Sequence, residues 1–412
     1  IENKYKIQGV CSYEYMPFLI GGISMNDIKF IEALKQKRNA CDYSQSRLAQ
    51  ELQISRQNLN EIENGKTKAS KEMKHILLHY LDYCNCTQPF TLTIDYLRVR
   101  FPTTDALEII KNVLAMKSEY FIHEDYGMFG YEEQYIYGDI SVNASKDSSM
   151  GVLLELRGMG CRNLEYVLQA RGIDWYSFLS CCIDCRGVFK RIDLAVNDMG
   201  GLLDIEILRE RYYANKVWKR SRTHEAVDSG KLSGTHGDTA KTFYIGSKNS
   251  SIYFCLYEKE KEQKSKGIKT DIKNRFEIRL KNEKAGQTIE QLVFSRNPEQ
   301  TIASLIFTQI DFPDYILWDI FLDNVTTSLP FIMTPVAVNM DKTKRWLERQ
   351  VMSSLLMIKE IEKKTGANYL EEIDRHTRLT EKQELKIKQM TTDIADMIEN
   401  DTAVPQGSDG IF

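Results

Sequence analysis

The sequence predicts an α+β protein: a small all-helical unit, then an antiparallel sheet with helices on one side, then a helical C-terminal region. Three observations carry this. Apolar residues in 25–84 recur at helical spacing between short polar breaks. Four stretches between 90 and 295 alternate apolar and polar residues, and long apolar helical runs return after Phe294. The expected domains are 25–84, 90–295 and 296–400, with 401–412 as a disordered tail.

In the first unit, one helix is expected over 27–38. Ser44 caps a second, in which Leu48, Ala49 and Leu52 are apolar, and Ser55 caps a third over 56–64 that Gly65 ends in a left-handed turn. A longer helix follows from Ser70 towards Tyr83. His75 and His79 lie one turn apart on it, but no glutamate or cysteine pair at metal spacing accompanies them, so they read as ordinary helix residues.

After a linker at 85–89, residues 91–101 (TLTIDYLRVRF) alternate as a strand and 104–116 are spaced as a helix. Asp95 on this strand reads as a structural hydrogen-bonding group as readily as a metal ligand. Short aromatic strands in 128–141 suggest a hairpin. Gly158 and Gly160 mark a tight turn, and 164–171 and 175–182 are helical.

The remaining strands share one design. GVLLELR (151–157) sets Glu155 and Arg157 opposite Val152, Leu154 and Leu156. FKRIDLAVN (189–197) sets Arg191 and Asp193 opposite Ile192, Leu194 and Val196, and NRFEIRLK (274–281) sets Glu277, Arg279 and Lys281 opposite Phe276, Ile278 and Leu280. KTFYIGSKNSSIYFCLYEKEKEQ (241–263) is a hairpin whose second strand puts Tyr253, Cys255, Tyr257 and Lys259 on one face. If these strands form one sheet, three carboxylates and a tyrosine meet on its polar face. A phenol with an ordinary pKa near ~10 is a poor nucleophile at neutral pH. Nearby cations and a hard metal held by carboxylates would let it attack a phosphodiester.

Between these strands, RERYYANKVWKRSRTH (209–224) interleaves Arg209, Arg211, Lys216, Lys219, Arg220 and Arg222 with Tyr212, Tyr213 and Trp218. Such a run can follow a phosphate backbone while its rings stack on unpaired bases, or it can be the solvated face of an amphipathic helix. Residues 229–238 form a glycine- and serine-rich loop. Beyond 294, a strong helix is expected over 341–364 with Trp346, Val351, Leu355, Ile358 and Ile361 inward and Gly366 at its end, and another over 380–399.

Composition narrows the class. With 412 residues, two or three domains are expected, and 42% hydrophobic and 27% charged residues describe a globular chain. The net charge of −3 requires any DNA contact to come from local basic patches. Nine scattered cysteines fit reduced thiols in a cytoplasm, and the Cys182–Cys185 and Cys84–Cys86 spacings lack the second pair of a zinc site. No run is apolar enough to span a bilayer, so no membrane partner is expected. Met25 is a candidate start, and no function is assigned to 1–24.

Two resemblances sharpen this reading. ISRQNLNEIENGK (54–66) resembles the helix-turn-helix of phage-repressor type, which implies a third helix in the major groove. The DNA-contacting set would be Gln45, Ser55, Arg56, Gln57 and Asn60, with Arg56 suited to guanine, Gln57 to adenine and Gln45 to phosphate. The hairpin with RIDLAVND, ELRGMGCR and NRFEIRLKNEKA around it resembles the replication-initiation-factor family, over about 90–294. That family comprises rolling-circle plasmid initiators and relaxases of integrative conjugative elements of Gram-positive bacteria. The resemblance implies a relaxase that nicks one strand at an origin of transfer and can rejoin it through a 5′-phosphotyrosine. It implies Tyr257 as nucleophile with Tyr253 in reserve, Lys259 as a supporting cation, and Asp193, Glu155 and Glu277 as ligands of manganese or magnesium. No His-hydrophobic-His pair occurs among the six histidines, so a metal of the nicking site would rest on carboxylates. Lys216, Trp218, Lys219, Arg220 and Arg222 would hold single-stranded DNA. Coupling protein, helicase and a second copy of the chain are possible partners. A rolling-circle plasmid initiator with the same chemistry, or a non-catalytic transcriptional regulator, are the alternatives.

Overall fold

The structure, a computed structural model, describes residues 24–229 and 240–399. The expected disordered tail and all but Ser229 of the expected glycine- and serine-rich loop lie outside the described residues.

Four helices make the first unit: α1 (Met25–Ala40), α2 (Gln45–Glu51), α3 (Arg56–Glu63) and α4 (Lys71–Cys84). Ser44, Ser55 and Ser70 each accept an amide hydrogen bond at the start of a helix, as capping serines do. Leu34, Leu48, Leu59, Leu77 and Leu81 are fully buried between the helices. Each contributes about 1.5–3 kcal/mol relative to exposure. Gly65 adopts φ +68 after α3, where a side chain would be strained.

Next come β1 (Phe90–Phe101), α5 (Ala106–Asn112), β2 (Ile122–Glu124), β3 (Glu133–Tyr137), β4 (Ile140–Ala144), β5 (Val152–Arg157), α6 (Met159–Arg171), α7 (Trp175–Asp184) and β6 (Val188–Asp198). They are followed by α8 (Ile205–Tyr213), β7 (Trp218–Lys219), β8 (His224–Ser229), β9 (Ala240–Ile245), β10 (Ile252–Tyr257), α9 (Lys259–Ser265) and β11 (Asn274–Lys281). The helix expected over 104–116 stops at Asn112, and Ala115 at φ +51 turns the chain.

Ten strands form one antiparallel sheet in the order β2-β3-β4-β5-β1-β6-β11-β10-β9-β8. The long β1 and β6 pair at its centre. Leu97, Leu154, Leu156, Ile192, Leu194, Val196, Ile278 and Leu280 are buried on one face. Against that face pack α6 and α10 (Glu283–Ser295), with α7 behind them. Then come α11 (Pro298–Phe307), β12 (Ile310–Asp311), which pairs with β7, and α12 (Ile316–Thr327). Trp318 and Phe321 of α12 meet Phe276 at ring separations of 6.0 and 5.6 Å. The α+β expectation, with helices on one side of the sheet, therefore holds.

The C-terminal part corrects two expectations, since the helix foreseen over 380–399 is also interrupted, at Thr392 and Asp393. The single helix foreseen over 341–364 is two, α13 (Asp341–Gln350) and α14 (Met352–Thr365), broken at Val351. Trp346 and Ile361 are 56% and 39% exposed rather than inward, and neither α13 nor α14 buries a residue. Gly366 does end α14 in the left-handed region. The chain continues through α15 (Tyr369–His376), α16 (Glu381–Thr391) and α17 (Ile394–Met397). Gln389 and Met397 are buried against the segment around β2 and β3, tying this end to the sheet's edge. No helix of the described residues is long and apolar enough to cross a membrane.

Candidate active site

The sheet's other face is polar, and its strand register assembles the site. Across β10 and β11, Tyr257 faces Arg275, Cys255 faces Glu277 and Tyr253 faces Arg279. The Tyr257 hydroxyl donates to Glu277 Oε1 at 2.7 Å. Two cations point at the phenolic oxygen itself, Lys259 Nζ at 3.4 Å and Arg275 Nη1 at 3.5 Å. Burial, and next the Glu277 charge, push the Tyr257 phenol well above its ordinary pKa, with Arg275 acting in the opposite direction. In the resting site the phenol is thus protonated and already bonded to a base. Burial, then the like charge of Arg275, lowers Lys259.

Arg275 is held from behind. It donates to Asn197 Oδ1 at 2.8 Å and pairs with Asp95 at 2.9 Å. Asp95 reaches it because the β1–β6 register shifts between Ile94 and Tyr96, leaving Asp95 as a bulged residue. The shift also explains the DY pair in TLTIDYLRVRF: Thr91 and Thr93 before it and Tyr96 and Arg98 after it make polar contacts on the same side. Neither Arg275 nor this role of Asp95 was assigned from sequence. Two adjacent polar residues inside an alternating strand were the available signal, and Arg275 shares the parity of Glu277 and Arg279.

Tyr253 is buried, with the Arg279 guanidinium and Lys281 ammonium 5.7 and 5.4 Å from its ring centre. The structure brings only Tyr257 of the two to a carboxylate.

The expected three-carboxylate metal site does not fit this donor arrangement. Glu155 pairs with Arg98 and Arg157, both at 2.6 Å, and also takes the Tyr96 hydroxyl. Asp193 pairs with Arg191 at 2.6 Å and faces Arg279 at 3.6 Å, and Glu277 pairs with Arg279 at 2.7 Å. Carboxylates and guanidiniums alternate along and across the strands, so each acid is paired with at least one arginine. Of the expected ligands, Glu277 alone reaches Tyr257. Among the described residues, the three-ligand group with donor atoms within 4.8 Å of one another is His75, His79 and Asp204. This corrects the reading of the two histidines as lacking a further ligand.

In the helical unit, Arg56, Gln57 and Asn60 lie exposed on α3, as does the capping Ser55. Gln45 instead donates to Glu63 at 2.6 Å, and Glu63 also pairs with Arg38, so this side chain is engaged internally. The basic run divides. Arg211 is buried against Glu72 and Arg209 is paired with Glu206 and Asp228, while Lys219 lies over the Tyr212 ring at 3.6 Å. Lys216, Trp218, Arg220 and Arg222 are exposed beyond the end of α8.

The likeness to known proteins follows this geometry. A family model described as replication initiation factor matches residues 187–373, and one for the N-terminal domain of rolling circle replication initiation proteins matches 91–181. A helix-turn-helix model matches 34–83. A Bacillus subtilis (strain 168) protein named as a DNA relaxase, NicK, is 30% identical over 328 residues, covering 75% of this chain and 92% of that one. The chain belongs to the replication initiation factor family. A solved rolling circle replication initiator protein from Geobacillus stearothermophilus shares the fold, with a TM-score of 0.52 at 23% identity over 60% of this chain and 99% of its own. The family, with its helix-turn-helix, makes this a DNA-binding relaxase or initiator type of protein.

Proposed function

We propose that the chain is a conjugative relaxase that cuts one DNA strand at an origin of transfer through Tyr257 and can rejoin it. The observation that carries the reading is the 2.7 Å bond from the Tyr257 hydroxyl to Glu277, with Lys259 and Arg275 beside it. As Tyr257 Oη attacks the scissile phosphorus, its proton passes to Glu277 Oε1. The P–O3′ bond breaks, the 3′ oxygen leaves and takes up a proton from solvent, and the phosphate remains on the tyrosine as a 5′-phosphotyrosine. Lys259 and Arg275 stabilise the phenolate and the charge that builds on the phosphate. Because the new ester keeps the energy of the old one, a returning 3′ hydroxyl can reverse the step.

The helix-turn-helix unit is assigned to duplex near the cut, through Arg56, Gln57 and Asn60, with Ser55 fixing the start of the reading helix. Lys216, Trp218, Lys219, Arg220 and Arg222 are assigned to the single strand. The domain limits 25–84 and 90–295 are proposed with this division of labour, and 296–400 is proposed as a further helical region. The step is written without a divalent metal, since the acids expected to share one are each occupied by arginine. A second reading, initiation of rolling-circle replication with the same chemistry, is favoured by the descriptions of the two matching family models. A Tyr257→Phe variant that no longer nicks an origin strand, beside a Tyr253→Phe variant that does, is the expected result. The reverse pattern would move the nucleophile to Tyr253.

A further inference from the structure

One cluster of ligating side chains takes no part in the proposed reaction. His75 and His79 project from successive turns of α4 with their rings stacked, centres 5.7 Å apart and planes 13° from parallel. Facing them is Asp204, the residue that caps α8. Its Oδ1 accepts the amides of Glu206 and Ile207 at 2.9 and 3.0 Å, which leaves Oδ2 turned towards the histidines. That oxygen contacts His75 Nδ1 and lies 3.3 Å from His79 Nε2.

The far side of His79 orients its ring. Its Nδ1 contacts the Gly201 carbonyl oxygen, which can only accept, so Nδ1 carries the proton. His79 Nε2 thus faces Asp204 Oδ2 at 3.3 Å, a separation that a proton on Nε2 or a metal cation shared with the carboxylate would each satisfy. An N–H to a backbone carbonyl on the outer nitrogen is also how metal-binding imidazoles are oriented. About 3.3 Å is the separation of two ligands on a tetrahedral ion with bonds of ~2.0–2.1 Å, while His75 Nδ1, in direct contact with Oδ2, would draw back to that distance to admit the ion.

We propose that His75 Nδ1, His79 Nε2 and Asp204 Oδ2 bind a divalent transition metal of the zinc class, with solvent completing its coordination. Two imidazoles and one carboxylate suit zinc, whereas magnesium prefers an all-oxygen set. The ion would bridge α4 of the DNA-reading unit to the segment entering α8 of the sheet unit, beside the Arg211–Glu72 and Lys71–Glu210 ion pairs. Its task is to hold the reading helix at a fixed attitude to the nicking face.

The test uses the full chain, stripped with a chelator and titrated with cobalt chloride and then zinc chloride. One equivalent of cobalt with the visible bands of a tetrahedral nitrogen–oxygen site, displaced by zinc, is expected. Asp204→Asn keeps the oxygen that caps α8 but should weaken binding at least tenfold, and His75→Ala/His79→Ala should abolish it, each with unchanged circular dichroism. Glu277→Gln, which alters the nicking site, should bind as the parent does, so this outcome is separate from whether DNA is cut. No stoichiometric cobalt or zinc in the parent chain, or binding that survives the double histidine change, would overturn the proposal and leave a protonated histidine clamp.

Discussion

Replacing Glu277 by glutamine isolates the chemistry proposed for Tyr257. The substitution keeps the side chain's size but removes the base that accepts the phenolic proton at 2.7 Å. Loss of a positioned general base costs about 100- to 10,000-fold in rate, or about 3–5 kcal/mol of barrier. Arg279 keeps Asp193 at 3.6 Å and Arg275 keeps Asp95 at 2.9 Å, so the polar face is not left with isolated charges. The assay is the single-turnover rate of covalent adduct formation on a labelled origin strand, with strand affinity measured in parallel. Because burial still holds the phenol protonated and its base is gone, the variant should depend on hydroxide, its rate rising about tenfold per pH unit below the phenol's pKa. A Glu277→Gln enzyme within threefold of the parent, with the same pH profile, would refute the assignment of Glu277 as base.

The other predictions concern DNA contacts and stability. Arg56→Ala should weaken specific duplex binding by about 1–3 kcal/mol in a gel-shift titration while cleavage of a single strand is unchanged. Equal loss on unrelated duplex would make Arg56 a phosphate contact instead. Trp218→Ala should cost about 1–3 kcal/mol in single-strand affinity if a base stacks on the exposed ring, and an unaltered affinity would return the basic run to a solvated surface. Burial pushes the phenols of Tyr96, Tyr137 and Tyr244 up to about 12. The native state keeps these protons after the unfolded chain has lost them, so stability is intact below pH 10 and falls as pH rises from 10 through 12. Tyr137, 2% exposed, accounts for roughly 2–3 kcal/mol of that loss, and a urea midpoint unchanged between pH 8 and pH 11.5 would contradict it.

Much of this arrangement was legible because strand alternation is a local property. Ile252, Phe254 and Leu256 against Tyr253, Cys255 and Tyr257 could be sorted into faces from the chain alone, and the capping serines 44 and 55 announced their helices. What was not legible depends on pairing. The Arg157–Glu155, Arg191–Asp193 and Arg279–Glu277 pairs lie two residues apart on single strands and were within reach of the sequence, but which strand lies beside which decides that Glu277 meets Tyr257 and that Arg98 takes Glu155. An equal parity of acids and bases says nothing of that. The bulge that delivers Asp95 to Arg275 shifts one ladder against another and appears in sequence only as a break in alternation. Likewise, Asp204 joins His75 and His79 across more than a hundred residues, beyond the reach of motif spacing. The C-terminal helices failed for the opposite reason, since apolar periodicity at Trp346 and Ile361 indicates a face without saying that anything covers it.

The most direct test of the central claim is to incubate the full chain with labelled single strands carrying candidate origin sequences, with manganese and with a chelator, and to map any covalent adduct after denaturation. The account predicts an adduct whose tryptic peptide carries the nucleotide on Tyr257 and which disappears in Tyr257→Phe. An adduct on Tyr253, or none on any origin strand while duplex binding persists, would contradict it, the latter leaving a helix-turn-helix regulator.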